Sequence, residues 1–506
     1  MEFTKQMAEY LLTQRWCNFK EEIRLGQITE FDLQSVPFDQ GNKLFSIGHI
    51  KSKKGNTYCF MIPLQEVHES DGPVLPINGK YYKDALKERD YWQKLMELFE
   101  QNNNEVRFEN GWVMKHQVPH RSEIILSQMH APSRPLGVEQ SNTTLEVGEQ
   151  MIAFKQERIL DFSKKVNPEF AMNDKLMREH CSVMPETYGG FFLYNNRGEI
   201  ASAGIEQEYV PNKGDLWNYS LAYLKDKLAR GYVEGTDLKA EDNPEFMGLM
   251  LNLSRKTAEM SECLSRPDTD LDFTPEAVND TFIRHYSKHL EVLLYQAHQN
   301  IINNVERLPE PTQTKARVLL ENWNDLTQKF VADKTKLIDD SPNKGYATRV
   351  HGDFHLGQVM VTKDNDLRFI DFAGEPGISI EQRSQKHISV RDVAGMYRSI
   401  QGYLGAVAVE EFAAEAPDKS IQKARKAYAQ KAIKPLMHDA SQTFLGRYCL
   451  QDPWLSLEIL RKNLYEVNYE VNNRPNMAYI AIDGLTDLLK PNTKTHTQSK
   501  KKQNTL

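Results

Sequence analysis

Val350-His351-Gly352-Asp353-Phe354-His355-Leu356-Gly357-Gln358-Val359, followed by Leu367-Arg368-Phe369-Ile370-Asp371-Phe372, is the stretch on which the fold turns. It reads as a compact strand-loop-strand unit set among long helical patterns. Asp353 falls in a loop just after a short strand, and Gln358 lies five positions on. Asp371 ends a second apolar strand, eighteen positions after Asp353.

Phosphoryl transfer from ATP needs a carboxylate to orient the acceptor hydroxyl and two side-chain oxygens to hold Mg²⁺ against the phosphates. Catalytic loops supply these as H-x-D-x-x-x-x-N, followed one hairpin later by an aspartate before phenylalanine. His351, Asp353, Gln358 and Asp371-Phe372 occupy the matching positions, with the glutamine amide oxygen on a side chain longer by one methylene. An acid at a strand end also caps turns. The alternating His351, Asp353 and His355 also suit a transition metal, as in a metallohydrolase. Four elements at fixed spacing favour phosphoryl transfer, and His355 then buttresses the loop through hydrogen bonds.

Working outward, the chain has 506 residues, which at roughly 150 residues per domain suggests about three folding units. Hydrophobic residues make up 40% and charged residues 26%, enough core material to exclude disorder as the dominant state. Lys and Arg number 63 against 70 Asp and Glu, a net charge of −7 that gives no global field for nucleic acid or anionic membrane. Cys17, Cys59, Cys181, Cys263 and Cys449 form no CxxC pair, so neither a disulfide framework nor a cysteine zinc site is indicated. A reduced, cytoplasmic setting is expected. The start, Met1-Glu2-Phe3-Thr4-Lys5-Gln6, is polar where a signal peptide is apolar, and runs such as Phe191-Phe192-Leu193-Tyr194 are too short to span a bilayer.

Residues 1–110 read as a mixed N-terminal unit, with a helix over Thr4–Arg15, strands over Lys43–Ile50 and Thr57–Pro63 around the turn Lys53–Asn56, and a helix over Lys83–Glu100. Residues 111–212 carry short strands (Gly111–Met114, Thr143–Val147, Met151–Gln156, Gly190–Tyr194, Gly204–Val210) and one helix, Pro168–Glu179, capped by Asn167. From 213 to 490 the pattern is helical, with stretches over 216–229, 277–306, 312–331, 420–446 and 454–472. Residues 491–506 are polar, contain Lys500-Lys501-Lys502, and read as a disordered tail.

ATP also needs its phosphates and base held. Neither a Walker A pattern nor G-x-G-x-x-G occurs. The substitute is the polar turn at Gln140, Ser141, Asn142 and Thr143, whose hydroxyls and amides suit phosphate oxygens. Lys155, apolar-flanked on the next strand, suits the lysine that contacts the α- and β-phosphates. Glu206, Gln207, Glu208, Tyr209 and Val210 end the strand-rich region as the hinge whose backbone meets adenine.

These motifs resemble the maltokinases, sugar kinases with an aminoglycoside-phosphotransferase-like fold. Further blocks agree in order: Gln140–Thr143, Glu208–Asp215 with Trp217, Ile370–Pro376, Arg391–Met396, Tyr465–Glu470 and Arg474-Pro475, with Arg15-Trp16 and Lys20 similar to an N-terminal cap motif. The resemblance spans nearly the whole chain. It implies an α+β, two-lobed protein-kinase-like fold with an N-terminal cap subdomain and a mostly helical C-terminal lobe. It implies ATP and Mg²⁺ as cofactors, and maltose phosphorylated at its anomeric hydroxyl to maltose 1-phosphate for α-glucan (glycogen) synthesis, with association with a trehalose–maltose isomerase open. By position it makes Asp353 the catalytic base within a loop carrying His351 and His355. Gln358 and Asp371 become the Mg²⁺ ligands and Lys155 the phosphate lysine.

The chain departs from the family pattern at Ala373, where a glutamate is usual, at Cys17 in place of an aromatic, and at Asn476-Met477, where a tryptophan is usual. Ala171 also replaces a glutamate, which leaves Glu169 or Glu179 as partner of Lys155. The departures motivate one alternative, a kinase of another sugar such as glucosamine; a second, a catalytically silent glucan- or partner-binding relative, is opposed by the intact Asp353, Gln358 and Asp371. On the last long helix, Lys462, Glu466 and Glu470 form an i, i+4, i+8 polar stripe beside Tyr465 and Tyr469. Carboxylates and amines bind sugar hydroxyls and rings cover C–H faces, so this helix, with Arg474, is the expected sugar groove. A solvated face of ion pairs gives the same pattern. Arg391-Asp392 is expected as an ion pair buttressing the catalytic loop, and Trp217 and Tyr219 as cleft or core residues.

Overall fold

The computed structural model describes residues 3–69, 74–137, 142–339, 345–375, 378–446, 448, 450 and 452–489. The tail expected over 491–506 lies outside them, as do Gln140, Ser141 and Pro376.

Alternation of apolar and polar residues builds the N-terminal sheet. Its five antiparallel strands run in the order Ile28–Phe38, Lys43–Ser52, Thr57–Val67, Lys80–Asp84, Leu75–Ile77. Gly55, at φ +85°, takes a left-handed conformation that only glycine adopts without strain in the Lys53–Asn56 turn. The helix Lys5–Thr13, capped by the Thr4 hydroxyl, packs Met7, Tyr10 and Leu11 on this sheet together with Trp16, Phe19 and Phe60.

A seven-stranded antiparallel sheet follows, in the order Glu105–Arg107, Val113–Gln117, Thr187–Tyr194, Ile200–Glu208, Ile152–Glu157, Asn142–Val147, Ser133–Pro135. Its first strand lies ahead of residue 110 and pairs Val106 with Met114, so this sheet crosses the boundary expected from composition. The helix Tyr91–Gln101 fills the space between the sheets: Trp92 lies 5.3 Å from Phe154, and Phe99 packs against both Phe45 and Phe191. The helix Pro168–Arg178 starts where expected, with Pro168 in its first turn and the Asn167 side chain accepting from the Glu169 amide.

Beyond Asn212 the body is helical, as the periodicity predicts. The strands Asn212–Asp215, Val359–Thr362 and Leu367–Phe369 form one small sheet in it, and Glu276–Ala277, Tyr346–Thr348 and His387–Ile388 another. The helix Pro453–Asn473 runs through the centre of this body, with Leu460, Leu464, Val467 and Val471 in its core.

Several boundaries differ from the sequence reading. The stretch 420–446 is two helices, Lys419–Ala432 and Lys434–Leu445, because Pro435 lacks an amide hydrogen and restarts the turn. The stretch 312–331 is likewise two, Glu310–Glu321 and Trp323–Asp339. The helix expected from Lys83 begins at Tyr91, because Lys80–Asp84 pairs as a strand. Pro244–Ser265 was not expected as a helix: Gly248, Asn252, Ser254 and Thr257 mute its local signal. Burial of Phe246, Leu249, Met250 and Leu253 decides it. Among the described residues no helix is long and apolar enough to cross a membrane.

Candidate active site

Between the seven-stranded sheet and the helical body lies a cleft with a volume of about 570 Å³. The strand Ile152–Glu157 sends Ala153 and Lys155 into it, while Phe154, one residue between, faces the core. Lys155 Nζ lies 2.8 Å from Glu169 Oε2 and 3.1 Å from Asp371 Oδ1, so it joins the sheet to the loop after Leu367–Phe369. Of the two partners open from sequence, Glu169 holds Lys155, and Glu179 pairs with Lys175 at 2.5 Å. Burial works against charge on Lys155, but Glu169, Asp371 and Glu157 outweigh it and hold its pKa well above the ordinary lysine value. Replacing Lys155 by alanine therefore removes the cleft's charged donor, and Mg·ADP affinity should fall roughly ten- to a hundredfold by titration calorimetry. Unchanged affinity would take Lys155 out of the site.

Glu157, two residues along the same face, approaches Lys155 at 4.0 Å. Its burial raises its pKa to about 7, with the attraction of Lys155 only partly opposing the shift. Between its unfolded value of 4.5 and about 7 the folded chain binds the extra proton, so stability falls as pH rises through that window. Glu157→Gln should thus stabilise the protein by up to about 3 kcal/mol above pH 7, with the gain gone below about pH 4.5. Urea unfolding of both proteins at pH 5 and pH 8 checks this.

Asp371 sits at φ +64°, an uncommon backbone for a non-glycine residue, which turns its carboxylate towards Lys155 and Gln358. Burial alone raises its pKa, but Lys155 overcompensates and holds the carboxyl below its ordinary value. Gln358 Nε2 donates to Asp371 Oδ2 at 3.1 Å, so the two groups expected to share a cation are adjacent.

Asp353 has loose neighbours, with His355 Nε2 3.9 Å from Oδ2 and Lys462 Nζ 3.9 Å from Oδ1. His355 Nδ1 accepts the Gly357 amide at 3.1 Å, which leaves the proton of the neutral ring on Nε2, facing Asp353. Burial lowers the pKa of His355 and favours that neutral form. His351 corrects the expectation of a catalytic-loop participant: it is fully buried, its Nε2 meets the Ile370 carbonyl at 3.0 Å, and its ring packs on Phe372. It braces the two strands and does not reach the cleft.

Asp392 does buttress the loop, but through backbone. Its carboxylate accepts the amides of His351 at 2.8 Å and Gly352 at 3.0 Å. Arg391 turns instead to His387 and Glu375. Trp217 and Tyr219 pack against the core of the helical body, and the Tyr219 hydroxyl donates to Glu245 at 2.8 Å.

The expected nucleotide residues divide. Asn142, Thr143, Gln207, Glu208, Tyr209 and Val210 line the cleft. Glu206 does not: it is fully buried on the other face of its strand, 2.9 Å from His116 Nε2. Pro135, Leu136, Gly137, Pro185 and Met360 also line the cleft and were missed by sequence reading. The strand alternation at Val359–Thr362 could have marked Met360.

The expected sugar stripe divides too. Lys462 faces Asp353, and burial, with Glu375 nearby, pushes the Tyr465 hydroxyl pKa up. Glu466 is buried against Arg398 at 2.8 Å. Glu470 is buried between Arg474 at 2.5 Å and the Tyr403 hydroxyl at 3.2 Å. Tyr469 is exposed under the Arg474 guanidinium. Four residues advance a helix by about 400°, so each member of an i, i+4, i+8 stripe is rotated by about 40° from the last. Lys462 turns to Asp353, while Glu466 and Glu470 turn into the body.

The sheet-and-helical-body fold with Lys155, Glu169, Asp371 and Gln358 around one cleft, and Asp353 on the loop that leads to Gln358, defines a kinase-like phosphotransferase. No family model matches the chain. A glucosamine kinase of Streptacidiphilus jiangxiensis is 32% identical over 361 residues, which span 70% of this chain and 73% of that protein. The chain belongs to the glucosamine kinase family. The solved glucosamine kinase in complex with glucosamine, ADP and inorganic phosphate has a TM-score of 0.57 at 18% identity, covering 97% of this chain and 100% of that one. A second crystal form of glucosamine kinase gives 0.55 at 19% identity, with 90% and 92% covered.

Proposed function

We propose that the protein transfers the terminal phosphoryl group of ATP to a hydroxyl of a small sugar, with glucosamine as the first acceptor to try. The observation that carries this is the placing of Asp353, loosely held, beyond a cleft that gathers Lys155, Gln358 and Asp371. The 32% identical glucosamine kinase supports the choice of acceptor.

Gln358 and Asp371 fit Mg²⁺, since an amide oxygen and a carboxylate are hard donors and two ligands leave places for phosphate oxygens and water. A half-turn of the Gln358 amide presents Oε1 in place of Nε2. When bound, the ion neutralises phosphate charge and polarises the transferring group. Lys155 orients the same phosphates, with Glu169 fixing its rotamer. Asn142, Gln207, Tyr209 and Val210 wall the cleft on the side of the base. Asp353 accepts the acceptor hydroxyl's proton, and His355 and Lys462 hold its carboxylate towards the mouth. Lys462, Tyr465 and Glu375 offer the sugar donors, acceptors and one aromatic face.

Maltose is the second acceptor, motivated by the maltokinase-like blocks Tyr465–Glu470 and Arg474-Pro475. That reading carries with it maltose 1-phosphate as product and leaves association with a trehalose–maltose isomerase open. The free, buried Cys17, Cys59, Cys181 and Cys263 support a cytoplasmic setting. Coupled ADP release with Mg·ATP across glucosamine, maltose, glucose, trehalose and maltotriose, with Asp353→Asn as blank, tests the proposal. Glucosamine-dependent release absent from the blank is the expected result. Release with maltose alone changes the acceptor, and silence across the panel sinks the sugar-kinase reading.

A further inference from the structure

Arg158 follows the lysine strand and is fully buried, among the largest side chains in the protein with no exposure. Its backbone clamps the N-terminal sheet: its carbonyl accepts the Met61 amide at 2.9 Å, and the Leu160 amide donates to the Cys59 carbonyl at 2.9 Å. Its guanidinium bridges two different units. Nη2 donates to Asp84 Oδ2, at the end of an N-terminal strand, at 2.5 Å. Nε donates to Thr143 Oγ1, at the start of the strand Asn142–Val147, at 3.1 Å. The group also lies 5.9 Å from the ring of Trp16, which packs in the core of the N-terminal sheet.

Thr143 lines the nucleotide cleft, and its strand pairs Thr144 with Lys155 and Thr143 with Gln156. Gln156 is itself fixed from the N-terminal side, by the Tyr91 hydroxyl at 2.7 Å. A planar guanidinium holds two acceptors in fixed relative positions, and in a site closed to water such bonds are strong and directional. We propose that Arg158 is a positioning residue for the nucleotide: it fixes Thr143 and the cleft wall to Asp84, so that the N-terminal sheet sets nucleotide affinity without touching the ligand.

The inference rests on the kinase reading above. Its decisive variant is Asp84→Asn, because Asp84 is not part of the cleft wall and asparagine can still cap the turn at Leu86, whose amide meets Asp84 Oδ1 at 3.0 Å. Titration calorimetry with Mg·ADP on the full chain should show a roughly three- to tenfold weaker Kd for Asp84→Asn. Thr143→Val should weaken binding by a similar factor, and the double variant should be no weaker than the worse single one. Arg158→Lys, which keeps the charge and loses the fork, should fall between wild type and Arg158→Met. KM for the acceptor sugar should stay unchanged in all of them. A lowered Tm with an unmoved Kd in Asp84→Asn gives Arg158 a structural role alone and overturns the proposal, as do additive effects in the double variant. Wild-type protein that fails to bind Mg·ADP overturns the kinase reading, and this inference with it.

Discussion

Asp353→Asn should lower turnover by roughly 10²- to 10⁴-fold while Mg·ADP binds as before. Asparagine matches aspartate in size and cannot take up a proton at neutral pH. The wild-type carboxylate has His355 and Lys462 as neighbours at 3.9 Å, beyond hydrogen-bond distance, so the fold loses little when the charge goes. On the proposed reading, what is lost is an acceptor for the hydroxyl proton of the sugar. Steady-state kinetics beside calorimetry separates the cases. Parallel loss of turnover and nucleotide binding would give Asp353 a structural role, and unchanged turnover would remove it from the chemistry.

Glu466→Gln has the opposite signature, and destabilises the fold by about 3 to 5 kcal/mol because it leaves a buried guanidinium without its counter-charge. Arg398 Nε and Nη2 both donate to Glu466 Oε2, at 3.0 and 2.8 Å, and the two side chains are only 5% and 8% exposed. The space for that guanidinium exists because residue 402 is glycine: a Cβ there would come within 2.8 Å of Arg398 Cζ. Thermal unfolding should show a clear fall in Tm, and sugar KM of the folded variant should not move. A normal Tm with a raised sugar KM would return Glu466 to the groove that its spacing suggested.

These two residues show where the sequence could be read and where it could not. Asp353, Gln358 and Asp371 lie within one strand-loop-strand unit, where spacing along the chain translates directly into spacing in the structure. Lys155 was legible for a similar reason, because strand alternation fixes its face relative to Phe154. Its partner, by contrast, needed the helix Pro168–Arg178 laid against the sheet, and sequence left Glu169 and Glu179 open. Glu206 and Gln207 are adjacent on a strand whose two faces are both covered, so its burial pattern lacks the polar-apolar alternation that would have told them apart. Glu466 and Glu470 belong to a helix surrounded by others, where polar residues at regular spacing pair inside the body with Arg398 and Tyr403. His351 looked chemical because of its type and turned out to be a brace, a distinction made by the Ile370 carbonyl just after the strand Leu367–Phe369.

The ion cluster at Lys155 bears on which form of nucleotide the cleft admits. Three carboxylates, Glu157, Glu169 and Asp371, surround a single ammonium. Even where Glu157 holds its proton, Glu169 and Asp371 together match or outnumber the ammonium, unlike the cationic cradles that capture bare polyphosphates. On the proposed reading, a polyphosphate enters with its own counter-cations, which take over the acids that Lys155 holds.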